Sequence, residues 1–128
     1  MVDLILDQFT EAVRQAIARR RPVRIRGSGS KDFYGGVTQG EVLETTAYQG
    51  IIDYAPEELV ITARAGTPLA EIEAALAKHG QMLPFEPPHF GPRATLGGCV
   101  AAGLSGPRRA TSGAVRDFVL GEIGRAHV

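Results

Sequence analysis

The chain has 128 residues, enough for one domain with a buried core and too few for two. Its 14 lysines and arginines balance 14 aspartates and glutamates, and a net charge of zero argues against a general nucleic-acid surface. The single cysteine, Cys99, excludes an internal disulfide and points to a reducing compartment, and no apolar run reaches the length of a membrane span.

The first segment has the periodicity of an amphipathic helix, with Phe9, Val13, Ala16 and Ile17 on one face and Glu11, Arg14 and Gln15 opposite. Pro22 ends it, and Arg19-Arg20-Arg21 fits a solvated helix end, where cations favour the dipole. Residues 23–25 form a short strand that runs into Arg26-Gly27-Ser28-Gly29-Ser30. Further short β-branched runs follow at Val42-Leu43, Ile51-Ile52-Asp53-Tyr54 and Leu59-Val60-Ile61-Thr62-Ala63, bounded by Gly50, Pro56 and Gly66. Thr67-Pro68 then opens a second helix, with Thr67 as capping hydroxyl, Pro68 at the first position and Glu71 in the first turn. Its buried stripe is Leu69, Ile72 and Leu76, Gly80 closes it, and Met82-Leu83 follows as a brief strand. From Pro84 onward the chain is rich in proline and glycine, a composition ordered by packing or by a ligand. There is no internal repeat. The class is α+β, mixed strands with flanking helices.

The stretch from Arg26 to Ser30 carries the chemistry. Two glycines permit a turn whose backbone N–H groups face outward, and two hydroxyls and an arginine join them. That set suits a phosphate or pyrophosphate, each charge-assisted hydrogen bond contributing roughly 1.5–3 kcal/mol. A Rossmann loop is excluded, because Asp32 stands where the third glycine belongs, and a P-loop is excluded by the missing Gly-Lys-Ser/Thr ending. A plain hairpin turn is the competing reading. Arg26 is either a phosphate partner or a surface cation. A second glycine turn, Thr95-Leu96-Gly97-Gly98, leads into small residues that let backbone approach a flat ligand. His79, at a helix end, reads as structural; His89 is a loop histidine with an active-site role as the alternative. Arg108 and Arg109 face solvent, a partner or a carboxylate substrate. No His, Asp or Glu set has metal-ligand spacing, and no nucleophile triad is legible.

The strings Arg26-Gly27-Ser28-Gly29-Ser30-Lys31-Asp32-Phe33-Tyr34-Gly35, Thr95-Leu96-Gly97-Gly98, Ala101-Ala102-Gly103-Leu104-Ser105-Gly106-Pro107-Arg108-Arg109 and Arg116-Asp117-Phe118-Val119-Leu120-Gly121 carry a resemblance. In that order they resemble the FAD-binding domain of vanillyl-alcohol oxidase and p-cresol methylhydroxylase relatives. Within it they are most similar to the FAD-binding subunits of bacterial glycolate oxidases. The resemblance covers nearly all of residues 1–121. It implies a PCMH-type FAD-binding domain in which Gly27, Ser28, Gly29 and Ser30 donate to the FAD pyrophosphate, with Arg26 beside them. It implies that Thr95, Leu96, Gly97 and Gly98 lie along the cofactor and that Gly103 and Gly106 fall near the flavin. Gly113 matches a further glycine, but Ser112 stands where many relatives carry tyrosine. Relatives that tether flavin through the first loop use a histidine; this loop has serines, which implies non-covalent FAD. Cys99 follows the glycine pair and reads as a packed small side chain.

The resemblance further implies oxidation of glycolate to glyoxylate, with a larger FAD subunit and an iron–sulfur subunit as partners and a small 2-hydroxy acid as substrate. Catalytic residues are not legible in this chain. A related D-lactate or 2-hydroxy-acid dehydrogenase and a non-catalytic scaffold subunit are the alternatives. The expected location is cytoplasmic, with membrane association through the complex; Met1-Val2-Asp3 lacks the basic region of a signal peptide. The fold is expected to be truncated before completion, leaving open strand edges and exposed apolar surface. Residues 122–128, Glu122-Ile123-Gly124-Arg125-Ala126-His127-Val128, back-translate to a common DNA-sequencing adapter and are expected to be a read-through tail outside the domain.

Overall fold

The computed structural model describes residues 2–29, 40–85, 87, 93–103 and 113–122. Helix α1, Val2–Ala18, contains no glycine or proline. It stops where Arg20 turns left-handed at φ 53°, with the Arg21 N–H donating to Ala16 O at 2.9 Å, before Pro22 can disrupt the ladder. Its inner face differs from the expected one. Ala16 is buried and Ile5, Phe9 and Ala12 half-buried, whereas Val13 and Ile17 are exposed, Ile17 by 71%. The helix is rotated because the Phe9 ring packs edge-on against Tyr48, with centroids 6.2 Å apart, and this draws the small residues Ala12 and Ala16 inward. Arg19 and Arg21 reach toward Glu41 at 3.7 and 3.9 Å, an exposed pair of contacts of small energetic weight.

Strand β1, Val23–Arg26, pairs in parallel with β2, Glu41–Glu44, in the register Val23 to Glu41 and Arg26 to Glu44. Strands β3, Ile51–Ala55, and β4, Val60–Ala63, form a separate antiparallel pair with a bulge between Ile51 and Asp53. A 3₁₀ turn, Pro56–Glu58, and a left-handed Leu59 at φ 59° reverse the chain between them. The strand runs therefore fall where the β-branched pattern puts them. Each described sheet has two strands, and Ile25, Val42 and Ile52 point outward from them.

Helix α2, Leu69–Ala77, buries Leu69, Ile72 and Leu76, as its spacing predicts. Each such side chain contributes about 1.5–3 kcal/mol through burial. Gly80, at φ 63°, closes it in a Schellman arrangement, with Gln81 N–H on Leu76 O at 3.0 Å and Gly80 N–H on Ala77 O at 3.1 Å. Two expectations fail here. Thr67 is not the cap, because Pro68 occupies that position and the Thr67 hydroxyl is committed to Gly50. Met82-Leu83 forms no strand; Gln81 is instead held through its side chain, accepting from Tyr54 Oη at 2.5 Å and donating to Pro56 O at 2.8 Å. Leu83 packs on the core while Met82 stays exposed.

The remaining elements are α3, Leu96–Ala102, and a 3₁₀ turn, Val115–Asp117, whose Asp117 carboxylate accepts the Ala114 N–H at 2.9 Å. Leu69, Phe85, Ala94, Cys99 and Val115 form the core, joined by Leu83, Leu96 and Val100. Cys99 is thus a packed small side chain, and the α+β class holds.

Candidate functional site

The first glycine loop leaves the C-terminal end of β1. Gly29 sits at φ 77°, a left-handed conformation that costs a residue with a Cβ roughly 1–2 kcal/mol. A Cβ there would also land on the Arg26 guanidinium, which folds back over the loop. Among the described residues the Gly27, Ser28 and Gly29 N–H groups have no backbone carbonyl partner. The Ser28 hydroxyl is buried and has no hydrogen-bond partner among the described residues. Such a group costs about 1–3 kcal/mol if nothing ever satisfies it.

The second loop has the opposite character: its amides are already spent. Leu96 N–H donates to Thr67 O at 2.8 Å, Gly97 N–H to Ala65 O at 2.8 Å, and Cys99 N–H to Thr95 O at 3.0 Å. Gly98 N–H donates to Thr95 Oγ1 at 3.2 Å, so Thr95 caps α3 with its own side chain. Residues 94–97 run antiparallel beside 65–69, with Pro68 bridged to Thr95 and Leu69 N–H on Ala94 O at 2.8 Å. This loop therefore offers a rigid surface and no spare donors from residues 96–99.

The two loops meet. A Cβ built on Gly27 would stand 2.8 Å from Thr95 Oγ1, closer than a side-chain carbon tolerates, so only glycine allows the approach. Residues separated by most of the chain thus form one junction, with free amides on one side and a buried threonine on the other. Arg26 is at the rim. Its Nη1 lies 3.2 Å from Glu44 Oε1, opposite it in the β1–β2 register, so a phosphate would have to share that guanidinium with a carboxylate. Gly103 is not at the junction: at φ 65° it terminates α3, about 12 Å from Thr95 at a helical rise of ~1.5 Å per residue. His79 packs its ring edge-on to Tyr54, with centroids 5.3 Å apart, and is structural. Ser30, Lys31, Asp32, His89, Gly106, Arg108, Arg109, Ser112 and residues 123–128 lie outside the described residues.

Reading the residues alone missed Gly50, Gly66 and Thr67 as members of the site's support. The signal was present as Ala65-Gly66-Thr67 between strand and helix, but a threonine before a proline reads as a cap. No group of three or more His, Cys, Asp or Glu residues suited to a metal occurs among the described residues. No described helix is long and apolar enough to cross a membrane.

A family model described as an FAD binding domain matches residues 6–122. The chain is 60% identical over 111 residues to the glycolate oxidase subunit GlcE of Escherichia coli (strain K12). That alignment covers 87% of this chain and 32% of the relative, so the chain spans about a third of that protein's length. No solved structure matches the chain.

Proposed function

Because the chain belongs to the FAD binding domain family, we propose that it is the cofactor-holding part of an FAD-dependent 2-hydroxy-acid oxidoreductase, with glycolate as substrate. The observation that carries this reading is the first loop, where among the described residues three N–H groups lack backbone partners beside a buried hydroxyl that lacks one too. Those donors fit an anionic group such as the FAD pyrophosphate, since each hydrogen bond to a charged oxygen contributes about 1.5–3 kcal/mol. Gly27, Ser28 and Gly29 would hold it through their N–H groups and the Ser28 hydroxyl, with Thr95 on the facing side of the junction. Arg26 contributes positive charge at the rim. When bound, FAD would supply the two-electron acceptor for oxidising a 2-hydroxy acid such as glycolate to its 2-oxo acid. In this reading the chain's own residues bind and orient.

The reading includes non-covalent FAD, since residues 26–29 hold no histidine. It also includes a larger FAD subunit and an iron–sulfur subunit that carry electrons onward, in the cytoplasm or at its membrane face. Purified full-length gene product tests the core of it. FAD at about one per chain, released intact by acid precipitation, together with glycolate-dependent dye reduction once the partners are present, is the expected result. Absence of flavin that added FAD does not restore overturns the reading, and flavin that stays with the precipitate overturns the non-covalent part. Faster turnover of D-lactate than of glycolate moves the substrate assignment.

A further inference from the structure

Two loops that form one site need something to hold their spacing, and the direct contact between Gly27 and Thr95 is too small to do so. A second connection runs behind it. At the end of β1, Arg26 O accepts the Thr45 N–H at 2.9 Å and the Thr45 hydroxyl at 3.4 Å, which fastens the entry of the first loop to the turn at residues 45–50. That turn packs on residues 64–67. Gly66 lies against the carbonyls of Thr45 and Tyr48, and its N–H donates to Tyr48 O at 2.8 Å. The Arg64 side chain donates to Gln49 O at 3.2 Å and covers the Tyr48 ring.

Thr67 completes the path. It is fully buried, with 0% of its surface exposed, and all its polar groups are used. Its hydroxyl accepts from Gly50 N–H at 2.9 Å and donates to Gly50 O at 3.2 Å. Its own N–H donates to Arg64 O at 3.0 Å, and its carbonyl accepts the Leu96 N–H at 2.8 Å. One residue thus grips the turn that carries the first loop with its side chain and the second loop with its backbone. A hydroxyl was not needed merely to fill that space, since valine has the same shape.

We infer that Thr67 is a positioning residue for the cofactor: through Gly50 on one side and Leu96 on the other, it sets the distance between the loops that hold FAD. The inference rests on the FAD reading above. Thr67 touches neither substrate nor the donor loop itself, and its effect is transmitted through the 45–50 turn and the start of α3.

The test compares Thr67→Val with Thr67→Ser in the full-length gene product. Valine keeps the volume but leaves the Gly50 N–H without its acceptor, while Gly50 O keeps the Arg64 N–H at 3.0 Å. FAD affinity in Thr67→Val is expected to fall about tenfold, because the loops no longer sit at a fixed spacing and must be ordered on binding, and Thr67→Ser to restore most of it. Amide hydrogen exchange of the flavin-free protein gives a reading independent of FAD: residues 94–99 should exchange faster in the valine variant and not in the serine one, with α1 unchanged. Wild-type affinity in Thr67→Val, or a loss that serine does not restore, overturns the inference. If wild type itself binds no FAD, the FAD reading fails, and the exchange pattern still decides whether Thr67 sets the loop. Should Thr67→Val not fold, Leu96→Pro cuts the same tie from the other side, at the first position of a helix where proline is accepted. A folded Leu96→Pro protein with wild-type FAD affinity likewise overturns the inference.

Discussion

The hydroxyl of Ser28, buried and without a partner among the described residues, yields a prediction in which one oxygen atom moves two observables in opposite directions. Ser28→Ala removes Oγ and nothing else, and Ser28 has an ordinary negative φ, so the loop backbone has no reason to shift. In the flavin-free protein that oxygen is buried with no partner among the described residues, a cost of about 1–3 kcal/mol that alanine relieves in part. The flavin-free protein should therefore melt higher, by roughly 2 °C or more per kcal/mol recovered. With FAD bound as proposed, the same hydroxyl would donate to a charged phosphate oxygen. Losing about 1.5–3 kcal/mol there weakens binding by roughly 10- to 150-fold. The assay is a thermal melt of flavin-free protein beside an FAD titration followed by flavin fluorescence, for wild type and Ser28→Ala. A melting point that falls, or an FAD affinity within about twofold of wild type, refutes the assignment of Ser28 to the pyrophosphate.

Three further outcomes follow from the same geometry. Gly29→Asp should abolish FAD retention, because it places a Cβ at φ 77° on the Arg26 guanidinium and a carboxylate where an anion must sit; unchanged flavin content counts against the loop assignment. Glu44→Gln should strengthen FAD binding by about two- to fivefold at low salt, since it releases Arg26 from an exposed competitor worth ~0–1 kcal/mol, and an unchanged titration makes Arg26 a surface cation. Ile72→Ala, at 1% exposure in α2, should destabilise the fold by about 2–5 kcal/mol in denaturant melts while leaving the affinity of the folded fraction for FAD unaltered.

Much of the local structure was legible in the sequence because it rests on short-range rules. The β-branched runs around Val42, Ile51 and Val60 became strands, and Leu69, Ile72 and Leu76 became a buried stripe. Gly80 closed α2 by the left-handed turn that glycine makes cheap. The glycine and serine loop after β1 could be read as a donor nest because the strand directly before it dictates which way it faces. Where local rules left two answers, the reading went astray. Thr67 before Pro68 has the pattern of a cap, yet its hydroxyl bonds to Gly50, 17 residues earlier in the chain, because burial leaves it no solvent and Gly50 offers both a donor and an acceptor. The face of α1 was misjudged for a similar reason: alanines 12 and 16 carry little hydrophobic signal, and only Tyr48 against Phe9 selects them over Val13 and Ile17.

Composition, strand periodicity and the two glycine motifs were determined by the sequence alone, since each depends on residues a few positions apart. The meeting of those motifs was decided only in three dimensions. Gly27 and Thr95 approach because β1 is pinned to the turn between β2 and β3, the 94–97 segment to Ala65 and Thr67, and that turn to Gly66 and Thr67. Hydrogen bonds between backbone groups so distant in sequence leave no periodic trace.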